Sequence, residues 1–98
     1  MRRSDVSTVY VSRNRLPGQI MPTLLSIRGY RFFFFSNEGS EPRHVHVESG
    51  RGYAKLRLDP VEVVRSIGYK GSELIVIRDL VAENVAYFKE RWDAYFDR

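Results

Sequence analysis

The sequence predicts an α+β domain: a small antiparallel sheet of four or five strands with one long C-terminal helix packed on one face. Three observations carry that expectation. Between Thr23 and Leu58, short runs of apolar and polar residues alternate and are separated by Gly, Pro and Asn turn signals. From Leu74 on, Leu74, Ile77, Val81, Val85, Phe88, Trp92 and Tyr95 recur at spacings of three and four, the stripe of an amphipathic helix. The chain has 98 residues and no cysteine, so it suits one domain and holds neither a disulfide framework nor a thiolate metal site.

Taken in order, Thr23–Arg28 alternates Leu25 and Ile27 against Leu24 and Ser26 and reads as a first strand. Arg28-Gly29 is a two-residue turn, with Gly29 free to take the positive φ of a tight hairpin. Tyr30–Phe35 is the second strand. Tyr30, Phe32 and Phe34 point to one face; Phe33 and Phe35 point to the other and need a cover of their own, either a loop or arm of this chain or a second copy of it. Ser36–Pro42 is a loop. Arg43–Glu48 then alternates strictly, Val45 and Val47 on one face, His44, His46 and Glu48 on the other. Ser49-Gly50-Arg51-Gly52 connects to Tyr53–Leu58, whose Ala54, Leu56 and Leu58 join the valines while Tyr53, Lys55 and Arg57 join the histidines. A slip of one residue would bury charge, so the register is well specified. Val61–Ile67 reads as a fifth strand. Ser72 is the expected helix N-cap, with Glu73 in the first turn where the helix dipole favours an acid.

Charge is unevenly placed. Of the net +4, residues 1–20 supply +3 through Arg2, Arg3, Arg13 and Arg15 against Asp5, so 21–98 is nearly neutral. That is a weak electrostatic footprint for nucleic acid. Residues 1–20 read as a basic N-terminal extension and 21–98 as the single domain, with Met21 the expected natural start. No apolar run is long enough to span a bilayer and no signal-peptide core precedes the domain, so a cytoplasmic protein without membrane contact is expected.

The two histidines of the chain lie two apart on one strand and project the same way. The first functional expectation is acid–base chemistry on RNA: His44 and His46 exchange protons near neutrality, and Lys55 steadies charge growing on a phosphate. Asn37, Glu38, Arg43, Tyr53 and Arg57 are the expected substrate-binding residues around them. A second expectation is a metal site, His-x-His with Glu48 or Glu38 as third ligand. It ranks below the first because neither a further His nor a Cys exists, and no residue is assigned as a ligand and no cofactor is expected. The third is a non-catalytic interaction module. The plain structural alternative is two satisfied polar residues on a half-wet strand, with Asn37 making a turn and Glu38 in solvent.

Several motifs occur in register: Met-Pro-Thr at 21–23, Gly-Tyr-Arg-Phe-Phe-Phe-Phe-Ser-Asn-Glu at 29–38, His-Val-His-Val at 44–47, Asp-Pro-Val-Glu at 59–62 and Trp-Asp-Ala-Tyr-Phe at 92–96. Over 21–98 the chain thereby resembles a small bacterial family, domain of unknown function 4160. One departure is Glu41-Pro42-Arg43, where family members crowd prolines before the first histidine. The resemblance implies a cognate protein encoded next door, in an arrangement that looks like a toxin–antitoxin pair. RNA and a second copy of this chain complete the expected partners.

Overall fold

A computed structural model describes residues 23–96. The expected extension at 1–20 and the Met21 start lie outside the described residues. Five strands, β1 (Thr23–Ile27), β2 (Tyr30–Phe33), β3 (His44–Ser49), β4 (Gly52–Leu58) and β5 (Val61–Ile67), form one antiparallel sheet in sequence order. Two helices follow, α1 (Gly71–Glu83) and α2 (Val85–Phe96), and pack over β4 and β5. The α+β architecture is the expected one.

The β1–β2 hairpin turns on Arg28 and Gly29, both at positive φ (53° and 85°). That pair of dihedrals matches the twist of the flanking strands, and glycine takes its share without strain. The inner face of the sheet carries Phe32, Val45, Val47, Ala54, Leu56 and Leu58, which meet Ile77, Leu80, Val81, Phe88 and Trp92 of the helices. The aliphatic side of the β3–β4 hairpin is therefore where the alternation puts it, with Val45 opposite Leu56 and Val47 opposite Ala54.

The terminal stripe runs in one phase, but the helix is broken once. Asn84 Nδ2 donates to Leu80 O (2.8 Å) and its backbone N–H donates to Val81 O (3.1 Å), while Phe88 N–H donates to Asn84 O (3.0 Å). Asn84 thus ends α1 and starts α2. Val81, Val85, Phe88 and Trp92 keep their spacing across the break, so the apolar face survives it, whereas Tyr95 is exposed. The N-cap sits two residues before the expected Ser72. Helix α1 begins at Gly71, and Glu73 reaches back to accept from the Lys70 backbone N–H (2.8 Å). The acid identified in the first turn is thus the capping group itself.

β2 stops at Phe33, short of the expected Phe35. Phe34 turns inward onto Trp92, Tyr95 and Phe96, with ring centroids 5.1–5.3 Å away. Phe33 and Phe35 stay on the opposite side and meet each other edge-on at 5.5 Å. Phe33 is buried and Phe35 half-buried within the chain.

Phe32 is fully buried while Ile75, on the outer side of α1, is 57% exposed. Phe32→Ala is expected to destabilise the fold by about 3–5 kcal/mol, and Ile75→Ala by less than about 0.5 kcal/mol. Urea unfolding of the two variants checks the contrast.

Candidate metal centre

His44 and His46 open β3 and project to the same side, their rings 5.0 Å apart and perpendicular. The sequence pattern anticipated that much. It did not anticipate burial: His44 is 2% and His46 is 3% exposed. The polar face expected to be open is roofed by the β2–β3 loop. Two successive turns fold this loop back over β3, Glu38 N–H donating to Phe35 O (3.3 Å) and Glu41 N–H to Glu38 O (3.0 Å). Gly39 lies so close to α2 that a Cβ there would stand 2.6 Å from the Phe96 ring.

Glu38 is the loop residue that reaches the strand. Its Oε1 accepts the Phe35 N–H at 2.9 Å, closing the turn on itself. Both carboxylate oxygens lie 2.9–3.0 Å from His46 Nε2. Oε1 is also 3.0 Å from His44 Nε2. That last distance would suit a hydrogen bond, but the alignment does not, and His44 Nε2 is buried without a directed partner. Burial works against the ionised carboxylate, yet His44, His46 and the Phe35 N–H together outweigh it and hold Glu38 far below the usual carboxylate range. For His46 burial wins over the help of Glu38 and pushes the imidazole below its ordinary value, which favours its neutral form.

The remaining ring nitrogens are fixed from behind. His44 Nδ1 donates to Pro42 O at 2.9 Å. His46 Nδ1 is 2.7 Å from Tyr53 Oη. His46 is held flat between the rings of Phe33 (5.3 Å) and Tyr53 (5.8 Å), while Trp92 of α2 packs on His44 at 4.8 Å. The candidate ligand atoms of Glu38, His44 and His46 all lie within 4.8 Å of one another. With bond lengths of about 2.0–2.2 Å to nitrogen and oxygen, small side-chain rotations bring three such atoms onto one ion.

The other expected site residues take surrounding roles. Tyr53 orients His46, as just described. Lys55 Nζ binds Glu41 Oε1 at 3.1 Å, and Arg57 pairs with Glu62. Arg43, expected at a substrate, clamps Asp93 of α2 with two bonds of 2.6–2.8 Å, tying the end of the loop to the helix. Asn37 is exposed in the turn before Glu38. Glu48, one of the two acids considered as third ligand, is taken by Arg31. Glu38, expected in solvent or beside His44, is the acid that lies against both rings. Three contributors escaped the sequence reading: the Pro42 carbonyl, Trp92 against His44, and Asp93 against Arg43. Only the first carried a signal, since a carbonyl two residues before a histidine in a Pro-kinked loop can turn back on the ring.

Fold and site together define a small α+β protein with a His-Glu-His cluster buried between its sheet and a folded-back loop. The model of the family described as Domain of unknown function (DUF4160) matches residues 29–93, and the chain belongs to that family. The match runs from the β1–β2 turn into α2 and includes Glu38, His44, His46 and Asp93. No curated protein and no solved structure matches the chain.

Glu38→Ala leaves the His46 Nε2–H buried with no acceptor, so it is expected to destabilise the fold by about 1–3 kcal/mol. It also releases the loop. Hydrogen exchange should accelerate at the Phe35–Glu41 amides and stay unchanged in β4.

Proposed function

We propose that the protein binds one divalent first-row transition metal ion at Glu38, His44 and His46. One observation carries this. Pro42 O can only accept, so His44 Nδ1 carries a proton, and the buried Nε2 stands 3.0 Å from a Glu38 carboxylate oxygen without a directed partner. A cation between a ring nitrogen and a carboxylate satisfies both, and a metal ion there would also collect His46.

The surroundings support the metal. Ligating histidines usually give their other ring N–H to a carbonyl or similar acceptor, which fixes the tautomer. Pro42 O does this for His44 and Tyr53 Oη is placed to do it for His46. A metal ion would need the Nε2 lone pair of His46, so the ring's one proton would move from Nε2 to Nδ1 and donate to Tyr53 Oη, the hydroxyl turning from donor to acceptor. Two imidazoles and a carboxylate, without thiolate, suit Zn²⁺, Fe²⁺ or Ni²⁺ rather than a soft ion. The acid–base reading on RNA is less well supported, because both rings are buried and a phosphodiester needs them open.

Untagged protein, stripped with a chelator and offered each of these ions in turn, is expected to retain one equivalent of at least one of them by elemental analysis. His44→Ala or His46→Ala should abolish retention, and Tyr53→Phe should weaken affinity by about 10–100-fold. The loaded protein should melt higher than the stripped one, since a ligand at 100 times its Kd adds about 2.7 kcal/mol. Substoichiometric uptake of every ion, unaltered by the histidine variants, would overturn the proposal.

A further inference from the structure

Beside the cluster, on the same side of the sheet, lies a cavity of about 250 Å³ lined by Glu41, Pro42, His44, Lys55, Arg57 and Val64. It shares His44 with the proposed metal centre. Its two cations are set by strand register, for Arg57 is the cross-strand partner of His44 and Lys55 that of His46. Residues so placed are near neighbours on one face. Its apolar wall has a separate origin. Lys55 pairs with Arg65 and Leu56 with Val63, so Val64 is an extra residue, a β-bulge in β5. Val64 follows the core-side Val63, so it points to the outer face and lines the cavity, 45% exposed. Bulges recur beside functional sites.

Lys55 and Arg57 are held by Glu41 and Glu62, whose side chains are 44% and 50% exposed. Ion pairs this open to water contribute little, so an anion seated between the cations displaces them easily. Ligand pockets usually measure about 300–1,000 Å³, which makes this one suited to a small guest. A metal with three protein ligands keeps a position for a further ligand. We propose that this cavity is an oxyanion subsite of the metal centre, taking a small phosphate or carboxylate between Lys55 and Arg57 with Val64 and Pro42 against its apolar side. The proposal rests on the metal reading above.

The test uses the full, untagged chain and inorganic phosphate, followed by calorimetry on the stripped protein and on protein carrying one equivalent of Zn²⁺. Metal content is measured on the same samples. Loaded protein is expected to bind phosphate at least tenfold more tightly than stripped protein. Lys55→Gln and Arg57→Gln should each weaken that binding tenfold or more while leaving metal content unchanged. Arg65→Gln, a β5 change outside the cavity lining, should leave it alone. Equal losses in all three variants mean diffuse surface attraction and overturn the subsite. Loaded protein that binds no phosphate overturns the subsite and spares the metal centre. Phosphate binding to a protein that takes up no metal overturns the metal centre, and with it the cavity's service to one.

Discussion

A carboxylate lodged between two buried imidazoles holds the β2–β3 loop against the sheet. Glu38 accepts from the Phe35 N–H and from His46, and stands against His44. Through that contact the loop becomes a roof rather than a solvent-exposed connection. Phe33 and Phe35 then have His46 as an aromatic neighbour instead of water, with ring centroids 5.3 and 4.8 Å away. A buried polar cluster of this kind is favourable only when each member has a partner. His46 meets that condition on both nitrogens, and His44 meets it on one.

The roof is also anchored from the other side. Arg43 clamps Asp93, Gly39 admits Phe96, and Trp92 lies on His44, so α2 reads out on the site as well as on the core. Phe34 links the two, since it leaves β2 to pack on Trp92 while its neighbours Phe33 and Phe35 remain with the histidines. The run of four phenylalanines is thus split between the two sides of the sheet, and that split fixes where the loop begins.

Much of the fold was legible because it rests on local periodicity. Strict alternation in His44–Glu48 and Tyr53–Leu58 sets the hairpin faces, and the stripe from Leu74 to Trp92 sets the helical face. The break at Asn84 was not legible, since the apolar phase continues through it. Nor was the N-cap at Lys70, because a glutamate three residues on did the work expected of a serine. At the site, the shared direction of the two imidazoles follows from the two-residue period of a strand. Their burial does not, because it depends on how Ser36–Pro42 folds back. That path is set by contacts between residues as distant as Arg43 and Asp93, which no local pattern encodes. The two acids considered as third ligand were separated by the same kind of fact: Glu48 has Arg31 opposite it in the register, and Glu38 does not.

On the metal proposal, one ion sits between Glu38 and the Nε2 atoms of His44 and His46. The most direct measurement is anomalous X-ray diffraction from crystals of untagged, metal-loaded protein, collected above and below the absorption edge of the ion. The expected result is one anomalous peak about 2.0–2.2 Å from His44 Nε2, His46 Nε2 and a Glu38 oxygen. A map with no peak there, or with its peak at another group of residues while Glu38 keeps its direct hydrogen bond to His46, would contradict it.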